Sequence, residues 1–139
     1  MLGFSYNDAM YERITRGIKI IVRPQYLEGQ SKPEENHFVW AYTITLENHG
    51  RETVTLRTRY WKITDASGKV QEVRGAGVVG EQPTLKPGDT YQYTSGCPLS
   101  TASGFMGGAY QMQAAGGELV NVDIPTFSLD SPHEKHSIN

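Results

Sequence analysis

Cysteine occurs once in the 139 residues, at Cys97. A single thiol excludes an intrachain disulfide and fits a reducing compartment. Basic excess is missing too: 13 Lys plus Arg stand against 15 Asp plus Glu, a formal net charge of −2. Duplex DNA and anionic membranes are bound through clustered positive charge, so those partner classes are set aside. No apolar run approaches the roughly 20 residues that cross a bilayer. The longest lie near Gly17–Val22 and Phe38–Leu46. The opening MLGFSYNDAM has no basic region followed by an apolar core, so no secretory signal is expected. The chain is therefore expected in the cytoplasm, without membrane insertion and without nucleic acid. Its length suits one domain that folds with neither metal nor disulfide.

Helix signals are scarce, and the pattern that dominates has period two. Ile18, Ile20 and Val22 alternate along a run that Pro24 ends. Phe38, Trp40, Tyr42, Ile44 and Leu46 form a stripe on one side of an extended segment, the mark of a strand over a core. Asn48-His49-Gly50 supplies a turn. Thr53 to Thr64 is rich in strand formers, and Lys69 to Arg74 returns as its hairpin partner. Gly75 to Gly88, with four glycines, Pro83 and Pro87, is expected to be a long connection, since both residue types weaken a strand interior. Asp89–Thr94, Ala109–Ala115 and Glu118–Leu129 complete about seven strands. The expected fold is all-β, an antiparallel β-sandwich; an open five-stranded barrel is the alternative. Residues 1–16 form an N-terminal arm whose Asn7 to Arg13 is the one helix candidate, 17–130 the sandwich, and 131–139 a polar, frayed tail.

Gly75-Ala76-Gly77-Val78-Val79-Gly80 matches G-x-G-x-x-G. A dinucleotide site needs that motif to open a helix whose N-terminus holds pyrophosphate. Pro83 and Pro87 follow too closely for such a helix, and no Gly-Lys-Ser/Thr marks a P-loop. A glycine loop can still turn backbone N–H groups toward an anion. Arg74 adjoins the loop, and Arg57 and Arg59 share a face if their strand is regular. Guanidinium groups bind phosphate oxygens with paired, directional bonds. Arg57, Arg59, Arg74, Gly75, Gly77 and Gly80 are thus the candidate anion site. The plainer reading is a tight loop between sheets beside solvated arginines.

No catalytic set assembles. His133 and His136 are spaced H-x-x-H after Pro132, in the tail; His37 and His49 flank a strand; Asp65, Asp89, Asp123 and Asp130 are scattered. None of these makes a zinc or magnesium pattern, and no cofactor is expected. Cys97, between Gly96 and Pro98, has no neighbouring base to activate it. Trp40 and Tyr42 belong to the core stripe. Tyr60 and Trp61 are adjacent and face opposite ways, so one of them is exposed and suits a partner surface.

Six segments carry a resemblance: WAYTITLENHG at Trp40–Gly50, RYWKITDASGKV at Arg59–Val70, GAGVVGEQPTLKPG at Gly75–Gly88, YTSGCPL at Tyr93–Leu99, GFMGGAYQM at Gly104–Met112 and VDIPTFSL at Val122–Leu129. In this order they resemble the ApaG family, over Ile18 to Leu129. The resemblance implies an immunoglobulin-like or fibronectin type III-like sandwich. Its bacterial members are loosely associated with cobalt resistance, magnesium efflux and diadenosine tetraphosphate metabolism, and related eukaryotic domains look like binding modules inside larger proteins. The expected function is a non-enzymatic module that binds a protein partner through a sheet face or edge. The alternative is a pyrophosphate or nucleotide-polyphosphate binder at Gly75–Gly80.

Overall fold

The computed structural model describes residues 9–133, and among these every regular element is a strand or a single 3-10 turn. The strands are β1 (Tyr11–Thr15), β2 (Ile18–Tyr26), β3 (Phe38–Asn48), β4 (Val54–Asp65), β5 (Val70–Ala76), β6 (Thr84–Leu85), β7 (Thr90–Leu99), β8 (Ser103–Ala114) and β9 (Leu119–Asp130). All pairings are antiparallel. One sheet runs β1-β2-β3-β7 and the other β5-β4-β8-β9, with β6 paired to the start of β4. The expected sandwich is the observed fold, with nine strands among the described residues rather than about seven.

The core follows from the alternation. Ile20, Val22, Trp40, Ile44 and Leu46 of the first sheet are buried against Leu56, Met106, Tyr110, Met112, Ile124, Phe127 and Leu129 of the second. Trp61 and Phe127, both of the second sheet, meet edge to face at 6.0 Å, and Tyr42 of the first sheet meets Trp61 across the layers at 5.2 Å. Asn48, 1% exposed, is the buried polar tie. Its Nδ2 donates to the carbonyls of Glu52 and Leu85, and its Oδ1 accepts from the Gly50 N–H. That binds the β3–β4 turn to β6.

Two irregularities set the register of the second sheet. The β4–β8 pairing shifts between Leu56 and Thr58, and the β8–β9 pairing between Met106 and Gly108. An extra residue on one strand flips the facing of every residue beyond it. At the second site the chain needs glycine, because a Cβ at Gly108 would lie 1.9 Å from the Tyr60 carbonyl oxygen.

Four expectations are corrected. Helix at Tyr11 to Arg13 gives way to β1, paired with Val22 to Ile20; Asn7 and Asp8 lie outside the described residues. Pro24 does not end β2, which continues to Tyr26. The proline is tolerated because β1 covers β2 only as far as Val22, so its missing N–H faces an uncovered edge. The Gly75–Gly88 connection holds the end of β5, a tight hairpin and β6. The tail does not fray at its start: Ser131 is buried and its N–H donates to Ala102, while the His133 ring packs on Tyr26 and its Nε2 lies 2.9 Å from Glu28 Oε1.

The two long sides of the sandwich differ. On one, β1 and β2 meet β9: Arg13 pairs with Asp123 at 3.1 Å, and the Tyr11 ring lies 6.0 Å from Phe127. On the other, β7 and β5 are edge strands with a cleft between them.

Candidate functional site

The bulge before Thr58 decides where the arginines go. Arg57 is the extra residue, and its side chain lies outside. There its Nε donates to Gln113 and its Nη1 to Gln82. Beyond the bulge the phase is reversed, so Arg59 pairs with buried Tyr110 and turns inward. Arg74 stands on the outer face, its guanidinium 4.6 Å above the Tyr60 ring and 3.6 Å from Glu72. The three arginines therefore do not converge.

The glycine loop is a two-residue hairpin. Val78 and Glu81 exchange both backbone hydrogen bonds, and Val79 and Gly80 between them have φ of 42° and 82°. Paired positive φ values define the type I′ turn. Val78, fully buried, plugs the core. The N–H of Gly77 is spent on the Arg57 carbonyl, and those of Val78 and Glu81 on each other. Gly77 is required by contact, since a Cβ there would lie 2.2 Å from the Glu81 carbonyl oxygen, whereas Gly80 sits at the open tip. Of the six candidate residues, Arg59, Gly75 and Gly77 come together. Arg59 Nη1 donates to the carbonyls of Ala76 and Gly77 at 3.0 and 2.8 Å, and its guanidinium lies over Gly75.

Arg59 opens instead onto the cleft between β7 and β5, a space of about 240 Å³. Tyr42, Trp61 and Met106 line it from below, Ser95, Cys97 and Pro98 from β7, and Gln71 and Val73 from β5. Tyr93 and Tyr110 join hydroxyls at 2.5 Å nearby. Burial raises the pKa of Tyr42, Tyr93 and Tyr110 above the ordinary tyrosine value, with the positive charge of Arg59 pulling the other way. Burial likewise pushes the Cys97 thiol up to about 11. The cleft is thus lined by neutral hydroxyls and a neutral thiol around one cation.

The edge of β7 faces the same opening. Leu27 N–H donates to Val39, and Asn48 N–H to Asp89. These bonds fix the alternation of β3, with odd residues bonded to β2 and even ones to β7. By the register, Thr94 and Gly96 turn their N–H and C=O groups outward, and Pro98, in the same phase, has no N–H to present.

Other candidates fall elsewhere. Trp40, Tyr42 and Trp61 are buried, and Tyr60 faces out with its hydroxyl on Glu72. His49 meets Glu47 and His133 meets Glu28; His136 lies outside the described residues. Among the described residues no group of three or more His, Cys, Asp or Glu converges. The hydroxyl pair has no sequence signal, because Tyr93 and Tyr110 lie on separate expected strands and nothing local announces that they meet; Ser95 is masked by the Gly96 and Pro98 that follow it.

Comparison with known proteins agrees with the architecture. The family model described as ApaG domain matches residues 28–114. Protein ApaG of Brucella anthropi is 63% identical over 130 residues, 94% of this chain and 100% of that protein. Protein ApaG of Rhodospirillum centenum is 61% identical over the same shares. The crystal structure of the putative ApaA protein from Bordetella pertussis superposes with a TM-score of 0.81 at 44% identity, covering 84% of this chain and 95% of that one.

Proposed function

Since the chain belongs to the ApaG domain family, whose name specifies no reaction, we propose that it acts in the cytoplasm as a non-enzymatic module that binds an extended segment of a partner protein along β7. The observation that carries this is the difference between the two sides of the sandwich. The β1–β9 side is stitched by an ion pair and a ring contact. On the β7–β5 side an edge strand with outward backbone groups borders a cleft. Unpaired edge groups recruit a further strand, and alternate pockets read its side chains. In this reading the family's loose associations with cobalt and magnesium run through the partner.

The test is Gly96→Pro, which removes an outward N–H without touching the β3–β7 ladder. Partners captured from native cells by the wild-type chain should be lost, with the melting temperature unchanged. Equal capture by both would overturn the reading. The alternative, pyrophosphate or a nucleotide polyphosphate at Gly75–Gly80, has Arg59 in its favour, but Arg57 and Arg74 are engaged elsewhere. A thermal-shift panel of pyrophosphate, diadenosine tetraphosphate, Mg²⁺ and Co²⁺ separates the two, because a bound ligand stabilises by mass action.

A further inference from the structure

Resting on the edge-docking reading, we propose that the segment docked on β7 presents a carboxylate to Arg59, so that the cleft selects acidic extended peptides over neutral or basic ones. Three features of Arg59 carry this. First, Nη1 is held by two carbonyls, which fixes the side chain, while Nε–H and the Nη2 amino group have no protein acceptor among the described residues. Second, Arg59 is the one arginine lining the cleft, and among the described residues no carboxylate pairs with it. Third, the absent side chain of Gly75 lets the guanidinium lie over the edge strand, toward the mouth of the cleft rather than at the centre of the sandwich.

The lining suits a single negative charge. Tyr42, Ser95, Gln71 and Cys97 line the cleft with Arg59, and none brings a competing anion. A carboxylate has two oxygens that match the remaining fork of donors. A phosphate group carries about two charges and three acceptor oxygens, and the other arginines near the loop point away from the cleft. Side chains of a docked strand alternate, so those facing inward recur every second residue. An acidic residue that reaches Arg59 places its neighbour two positions away over the apolar lip of Ile63 and Pro98.

The experiment uses the full chain, labelled with ¹⁵N, and four pools of degenerate peptides of Val, Thr, Ser and Ala. The central residue is fixed as Glu, Gln, Lys or phosphoserine. The Glu pool should shift the amides of Thr94 and Gly96 at a concentration about tenfold below that needed by the Gln pool, the contrast expected of one charge-assisted contact. Arg59→Gln should abolish this preference while leaving the edge shifts in place; Arg59→Lys should keep part of it. Should either variant lose its dispersed spectrum, the contrast between Glu and Gln pools on the wild type decides alone. Equal shifts by the Glu and Gln pools would overturn the carboxylate inference and leave edge docking standing. No shift at Thr94 or Gly96 with any pool would overturn edge docking itself. Preference for phosphoserine over Glu would assign the cleft to phosphorylated segments and refute the proposal.

Discussion

Arg59 and Gly75 face each other across the β4–β5 pair, and the guanidinium of one stands where a side chain of the other would be. A Cβ on Gly75 would lie 2.8 Å from each terminal nitrogen of Arg59. The first glycine of the G-x-G-x-x-G string therefore makes room for an arginine. Its partner glycine, Gly77, makes room for a carbonyl.

This contact predicts coupling. Gly75→Ala should destabilise the chain by about 1–2 kcal/mol, the usual cost of a local overpacking. In an Arg59→Ala background the same substitution should cost less than about 0.5 kcal/mol, since the space is then free. Urea unfolding of the four chains measures the interaction. Additive effects would show that the glycine serves something other than the arginine.

Gly108→Ala should be far more damaging. The clash at 1.9 Å is with the backbone carbonyl of Tyr60 in the middle of the β4–β8 ladder, and backbone there has no room to yield. A loss of about 3 kcal/mol or failure to fold is expected. Gly116→Ala, where an added Cβ meets nothing within 4 Å, should change the urea midpoint little.

Asn48→Ala should cost about 2–4 kcal/mol. It strands the Glu52 and Leu85 carbonyls and the Gly50 N–H, which the buried amide now satisfies, and buried groups left unpaired are expensive. Asn48→Asp should fare no better, because a carboxylate cannot donate to the two carbonyls. Chemical denaturation compares the three chains.

Stability should fall in alkali. Burial raises Cys97 from its ordinary 9.0 to about 11 and lifts Tyr42, Tyr93 and Tyr110 above their ordinary 10.0, so the fold favours their neutral forms. That contribution is fully present below pH 9. It is lost as the pH rises through about 11 for Cys97 and through the raised values of the three tyrosines. Urea midpoints should be level below pH 9 and drop above it. Tyrosinate absorbance should show the Tyr93 and Tyr110 rings silent until the chain unfolds; their early titration in the folded protein would contradict the burial argument.

Where side chains alternate over a core, the sequence was legible. Phe38 to Leu46 and Ile18 to Val22 read as strands because each buries one face fully. Tyr11 to Thr15 did not, because β1 is an edge strand with three of its five residues exposed, and such a strand shows no apolar period. The site was legible only in part. Arg59 was singled out, yet an assumed regular strand put it beside Arg57, and no residue type announces the bulge that parts them. The hairpin at Val79–Gly80 was hidden for a related reason: a β-branched valine at positive φ contradicts its own preference, so local propensity argues against the turn that the buried Val78 enforces.

A sandwich closed along one long side and open along the other has a hinge and a mouth. Among the described residues no ion pair or ring contact joins β7 to β5, while the Tyr42–Trp61 contact and the Tyr93–Tyr110 hydroxyl bond hold the sheets together behind them, so the outer lips of the cleft should part while β1 and β9 stay together. Backbone amides flanking the cleft should then exchange with solvent sooner than equally buried ones behind Tyr11 and Arg13. A crosslink between β7 and β5 would act as a clasp, trading that breathing for rigidity.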